Sequence, residues 1–296
     1  MIFQKETLPH KTLKMILITD GGSTKCDWIL LDQKGDVVLK TRTKGLNPAV
    51  VPDENIRERI LANQDLLPFV TKITVVDFFG AGCGTKTPIR LLTRILSEIF
   101  PLATVSVNED MVAAVYAATT KPGIVCILGT GSNSCYFDGT HIHNGIESLG
   151  YSLMDEASGN YFGKRLIRDY FYKKMPSQLA LEFENKFNLD PDEIKNHLYK
   201  RHNPNMYLAS FAKFMFDFKD EKYVRRLMKK GFEKFFKYRI LPYQLNSDTP
   251  IYFIGSIAHY FREILDDVAD KNGLEITDVI QRPIDNLLEY HKQNIN

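Results

Sequence analysis

The chain has 296 residues, 44% hydrophobic and 25% charged, and its 38 basic side chains nearly balance 36 acidic ones for a net charge of +2. Such values exclude intrinsic disorder, and 18 glycines with 13 prolines exclude collagen-like and low-complexity sequence. No apolar run approaches the ~20 residues that cross a bilayer, and at ~100 to 200 residues per domain the length predicts two domains with a cleft between them.

Residues 1–14 mix charge, Pro9 and His10 without the apolar stretch of a signal peptide, so a flexible leader and a cytoplasmic location are expected. Periodicity begins at Met15. Apolar runs at 15–18, 28–31 and 37–39 are separated by Asp20-Gly21-Gly22-Ser23-Thr24-Lys25 and by a turn at 32–35, the pattern of an antiparallel meander. A strand over 73–78 follows, then a helix to about residue 99 with Thr87 as N-cap and Pro88 in the first turn. Residues 105–107 form another strand, ending at Asn108-Glu109-Asp110, and an Ala-rich helix occupies 111–119.

About 108 positions after the first meander its pattern returns. Runs at 124–128, 135–137 and 141–143 surround Gly129-Thr130-Gly131-Ser132-Asn133-Ser134, so the chain reads as a duplicated unit. Residues 158–240 are helical in period throughout, with Pro191 and Pro204 marking helix starts, and form an insertion. Within it, 219–239 holds nine basic against three acidic residues. Its apolar positions recur at helical spacing, so the basic residues read as one solvated face, and no nucleic-acid partner is expected. A strand over 251–254 turns at Gly255-Ser256 into a helix closed by Asn272-Gly273, followed by a strand over 275–280 and a terminal helix from Pro283.

Cys26, Cys83, Cys126 and Cys135 lack CxxC spacing and His-rich surroundings, and read as reduced structural thiols. Both meanders place a turn rich in Gly and hydroxyl side chains where a two-residue hairpin would suffice. Backbone N–H groups and hydroxyls of such turns are phosphate donors, and two of them can hold one polyphosphate from opposite sides. Residues 80–87 fail the Walker A spacing, because Thr85 separates Gly84 from Lys86, and they fail the GxGxxG fingerprint too. Asp110 follows a strand and opens a helix, a ligand position in open α/β sheets and equally an N-cap position. Asp155-Glu156 before Ser158-Gly159 carries the same ambiguity.

Five motifs, Asp20-Gly-Gly-Ser-Thr-Lys, Asn108-Glu-Asp110, Gly129-Thr-Gly-Ser-Asn133, Asp155-Glu-Ala-Ser-Gly159 and Ile254-Gly-Ser256, occur in one order. From Met15 onward the chain resembles N-acetylglucosamine kinases of the BadF/BadG-type branch of the actin, Hsp70 and sugar-kinase superfamily. The resemblance implies an α/β fold of two duplicated actin-like, ribonuclease H-like domains, each with a mixed sheet. The expected division is 15–112 plus the terminal helix 283–296, and 113–282 with the helical insertion 158–240. Implied too are ATP and Mg²⁺ as cofactors and a small amino sugar as partner, with homodimerisation left open and no membrane contact. Gly22, Ser23, Thr24 and Lys25 would form the first phosphate loop, and Thr130, Gly131 and Ser132 the second. Asp20 would help hold Mg²⁺ through water, and Gly255 and Ser256 would contact the adenosine. Asp110 matches the general base and sugar contact, and Asn47, Asn133, Gly150 and Asp155 would complete the sugar pocket.

The sequence departs from the family at Ala49, where an aromatic residue is expected, and at Ser148-Leu149-Gly150, in place of Gly-Trp-Gly. The implied activity is ATP-dependent phosphorylation of the 6-hydroxyl of N-acetylglucosamine or a related amino sugar. The alternatives are glucosamine or N-acetylmuramic acid kinase, or a non-catalytic sugar sensor of the same fold. The similar ATPase activators of 2-hydroxyacyl-CoA dehydratases need cluster-binding cysteines, a pattern that no cysteine here follows.

Overall fold

The computed structural model describes residues 14–244, 246 and 248–293. The expected leader lies outside the described residues except for Lys14. The first meander is β1 (Ile16–Gly21), β2 (Lys25–Leu31) and β3 (Val37–Lys44). Buried residues run continuously along β1 and β2, as strands covered on both faces require, whereas β3 alternates between half-buried and exposed positions as an edge strand does. Helix α1 (Asp53–Leu61) leads to β4 (Val75–Gly80), α2 (Lys86–Ile99), β5 (Thr104–Glu109) and α3 (Asp110–Ala118). The sheet order is β3-β2-β1-β4-β5, with β1, β4 and β5 parallel.

The second half repeats this plan. Strands β6 (Gly123–Leu128), β7 (Ser132–Phe137) and β8 (Ile142–His143) form its meander, and β9 (Ile251–Ile254) and β10 (Asp278–Ile280) its parallel arm, in the order β10-β9-β6-β7-β8. Among the described residues six α-helices intervene between β8 and β9: α4 (Gly159–Phe171), α5 (Ser177–Lys186), α6 (Pro191–Tyr199), α7 (Pro204–Phe211), α8 (Lys213–Asp217) and α9 (Lys222–Phe235). Helices α10 (Ser256–Tyr260) and α11 (Arg262–Lys271) join β9 to β10, and α12 (Pro283–Gln293) follows.

Each sheet is covered on both faces. Helices α1 and α2 bury Ile56, Ile60, Leu92 and Leu96 against Leu17, Trp28, Val76 and Phe78. On the other face Ile284, Leu287 and Leu288 of α12 meet Ile16, Ile18, Ile29 and Phe79. The second sheet packs Ile124, Cys126 and Phe253 against the helical insertion. Helix α3 is shared: Ala113 faces the first sheet, while Met111, Ala114 and Val115 join Val125, Cys135 and Ile254 of the second. All four cysteines are free and buried. No helix among the described residues is long and apolar enough to cross a membrane.

Two local expectations are corrected and one ambiguity is resolved. Helix α2 begins at Lys86, with Thr85 in the N-cap position, so Thr87 and Pro88 lie inside its first turn. Ser158, not Asp155, caps α4, accepting from the Tyr161 amide at 3.2 Å. The basic face of 219–239 does not include Arg239, which is 1% exposed. The chain winds into a π-helical turn over Phe236–Ile240, and the wider turn brings Arg239 inward.

Candidate active site

The carboxyl ends of β1, β4 and β5 lie side by side, with Gly21 opposite Gly80 and Gly80 opposite Glu109. This edge is where open α/β sheets hold ligands. Asp20 stands at the end of β1 and Asp110 begins α3, directly after β5. Both are partly open to the cleft yet surrounded by protein on most sides. Burial, with Asp27 nearby, raises the Asp20 carboxyl to about 6. Burial, then the charges of Glu109 and Asp20, raise Asp110 to about 7 against the pull of backbone N–H groups in its own turn.

The two glycine-rich turns meet. The Thr24 and Thr130 hydroxyls are 2.9 Å apart although 106 residues separate them in sequence. The first turn is braced by Asn47, whose amide nitrogen donates to Ser23 Oγ at 2.8 Å and whose Oδ1 accepts from the Ala49 amide at 2.9 Å. Lys25 borders this turn with its ammonium 2.8 Å from buried Asp27, which also pairs with Arg42 at 2.6 Å. Burial pushes the Asp27 carboxyl up, but the bonds from Arg42 and Lys25 leave it below its usual range.

The second turn rests on α4, whose first amides reach back to it: Gly159 donates to the Gly129 carbonyl at 2.8 Å and Asn160 to that of Thr130 at 2.9 Å. Asp155 lies beneath. It accepts from the Ser132 amide at 3.3 Å and from Asn160 Nδ2 at 2.7 Å, while burial keeps its carboxyl above the usual value. Its backbone is left-handed at φ 69°, a conformation that costs of order 1 kcal/mol outside glycine and clusters at functional sites. Gly255 touches the same turn from below, since a Cβ there would overlap the Leu128 carbonyl oxygen. Ser256 then opens α10.

Thus the expected phosphate-loop residues, Asp20, Asp110, Asn47, Asn133, Asp155, Gly255 and Ser256 gather where the two turns meet beside the carboxyl ends of the first sheet. Gly150 stands apart, in an exposed segment with nothing within 4 Å of the place a Cβ would occupy. Two features of the cleft wall were not singled out from the sequence. Glu109 points its Oε1 to within 3.5 Å of Asn133 Nδ2. Residues 81–84, set aside as a failed nucleotide motif, form a turn against the same wall: Gly82, at φ 80°, leaves no room for a Cβ beside Asn47 Oδ1. The signal available for Glu109 was its position as the last residue of a strand before Asp110.

No protein-family profile matches the chain. Its structure is similar to that of a Porphyromonas gingivalis protein provisionally named an N-acetylglucosamine kinase, at 35% identity and a TM-score of 0.84 over 94% of this chain and 99% of that one. The chain belongs to the N-acetylglucosamine kinase family. A Chromobacterium violaceum protein with the same provisional name has a TM-score of 0.70 at 14% identity, over 94% of this chain and 99% of that one. A ROK-family glucokinase of Streptomyces griseus, in complex with glucose and AMPPNP, has a TM-score of 0.51 at 13% identity, over 94% and 97%. Those two share the fold, two actin-like halves each built on a mixed sheet. The family is one of sugar kinases, and the chain is an enzyme of that class.

Proposed function

We propose that the enzyme transfers the γ-phosphoryl group of ATP to the 6-hydroxyl of N-acetylglucosamine or a close amino sugar. The observation that carries this reading is the meeting of the two hydroxyl-bearing turns at Thr24 and Thr130, beside a sheet edge that ends in Asp20 and Asp110. Amides and hydroxyls of Gly22, Ser23, Thr24 and Lys25 on one side and of Thr130, Gly131 and Ser132 on the other suit a polyphosphate. Gly255 and Ser256 are the residues for the adenosine. Asn47, Asn133 and Asp155 are those for the sugar, and Gly150, which stands apart from them, is left out of this reading.

Phosphoryl transfer asks mainly for positioning and charge neutralisation. The sugar oxygen attacks the γ-phosphorus, the bond to the bridging oxygen of ADP breaks, and the hydroxyl proton passes to the Asp110 carboxylate. A carboxyl poised at about 7 is matched to that task at neutral pH. Mg²⁺, when bound, would neutralise the phosphate charge. Asp20 fits that role, because Mg²⁺ prefers one or two carboxylates beside substrate phosphates, and Asp20 is a partly exposed carboxyl at the end of β1, directly before the first turn.

The test is ADP release from ATP by the purified protein with a panel of amino sugars. Release should depend on sugar, with N-acetylglucosamine among the best acceptors. Equal release with and without every amino sugar overturns the reading.

A further inference from the structure

The wall on which Asp110 opens carries a second carboxyl group. Glu109 closes β5, and its side chain reaches from the first half of the molecule toward Asn133 on β7 of the second, 3.5 Å away. A Cβ on Gly84 would lie 3.1 Å from Glu109 Oε1, so the backbone of the 81–84 turn passes directly against the carboxylate. The same turn packs on Asn47 through Gly82. Asn47, the turn, Glu109 and Asn133 are therefore contiguous, on the sugar side of the site in the function proposed above.

The surface is acidic. Glu109 stands next to Asp110 in the chain, and the loop after β8 brings both Asn144, which hydrogen-bonds Glu109, and the charge of Glu147 near it. Burial and then Glu147 push the Glu109 carboxyl up and the Asn144 bond draws it down, the balance lying above the ordinary value. Ala49 and Leu149 replace the aromatic residues expected in the family, which leaves size a weak filter on the substituents an acceptor carries.

We infer that Glu109 is a specificity-determining residue that turns away amino sugars bearing a carboxylate and admits neutral or cationic ones. The inference rests on the kinase reading and deepens it. A neutral N-acetyl sugar meets hydrogen-bonding groups along this wall. A 3-O-lactyl substituent, as in N-acetylmuramic acid, brings a second negative charge toward Glu109, and like charges brought together in a partly desolvated site repel.

The experiment compares kcat/KM for N-acetylglucosamine, glucosamine and N-acetylmuramic acid in the wild type, Glu109→Gln and Glu109→Ala at pH 8, which favours the charged form of a carboxyl. The ratio is taken within each variant, so losses of folding or turnover cancel. In the wild type N-acetylmuramic acid should be at least ~30-fold poorer than N-acetylglucosamine. In Glu109→Gln the gap should shrink about tenfold, mainly through KM, and Glu109→Ala should shrink it as well. Affinities of the same sugars by calorimetry, with a non-hydrolysable ATP analogue present, should move in parallel even in a variant with little turnover. A gap below threefold in the wild type, or one that changes less than threefold in both variants by both measurements, overturns the inference while leaving the kinase reading intact. Absence of sugar-dependent ADP release by the wild type with any of the three overturns both.

Discussion

Asp110 sits where two opposing fields meet. As the first residue of α3 it accepts hydrogen bonds from the amide of Met111 and from its own, and a helix N-terminus favours a negative charge. Burial and the neighbouring Glu109 and Asp20 oppose this and win, leaving the carboxyl at about 7 against an ordinary value of 3.8. The folded protein therefore holds a proton that the unfolded chain has released, and over pH 4 to 7 stability falls as pH rises. Asp110→Asn removes that cost while keeping size and one acceptor oxygen. It should melt higher than the wild type at pH 8, by roughly 2 °C or more for each kcal/mol recovered, with the gap closing toward pH 4. Its kcat should fall ~10²-fold, the lower end of general-base loss, because the proton moves late in a loose transition state. Wild-type kcat/KM should rise with pH through about 7, and the variant should lack that step. Unchanged kcat in Asp110→Asn would remove this residue from the chemistry, and equal melting at pH 8 would show that burial does not govern its ionisation.

Elements differ in how openly the sequence declares them. Strands β1, β2, β4, β6 and β9 are apolar runs bounded by Gly, Asp or Ser, so period and punctuation agree. Helix α1 leaves no period in the sequence, because only Ile56 and Ile60 of its nine residues are buried. Arg239 departs from the solvated face that the sequence predicts, because a π-helical turn breaks the 3.6-residue phase. The phosphate turns and Asp110 were legible as pattern and resemblance. Glu109 was not, since its reach to Asn133, only 24 positions on, depends on how two separate sheets pack. The contact between α4 and α7 was equally invisible. A Cβ on Gly163 would overlap the Leu208 carbonyl oxygen, so the two helices approach at backbone distance. Gly163→Ala should force them apart at ~1 to 3 kcal/mol, lowering Tm by roughly 5 °C. Because α4 holds the second phosphate turn through Gly159 and Asn160, ATP affinity should drop with it. A thermal melt and a nucleotide titration measure the two effects. A variant unchanged in both would mean that neither helix is constrained by the other.

At the scale of the whole molecule the two halves share α3 between their sheets and touch again where Thr24 meets Thr130. The second contact is too close for a nucleotide. Two hydroxyls that each donate to one phosphate oxygen at ~2.7 Å subtend more than about 4 Å across it, whereas here they stand 2.9 Å apart. Binding ATP between them must therefore part the two hydroxyls by roughly 1 to 2 Å, through rotation about χ1 of the threonines or through movement of the turns. The motion can be blocked covalently. Side chains whose hydroxyls are in contact have β-carbons near the distance that a disulfide spans, so Thr24→Cys combined with Thr130→Cys should crosslink under mild oxidation. The four native cysteines are buried and should stay out of the reaction. The oxidised double variant should lose ATP-analogue binding at least tenfold and regain it on reduction, while either single substitution keeps affinity within a few fold of the wild type. Failure to crosslink would mean that the turns do not dwell in contact in solution. A crosslinked protein that still binds ATP at full affinity would show that the triphosphate does not pass between them, and would remove the two-turn clamp from the catalytic scheme.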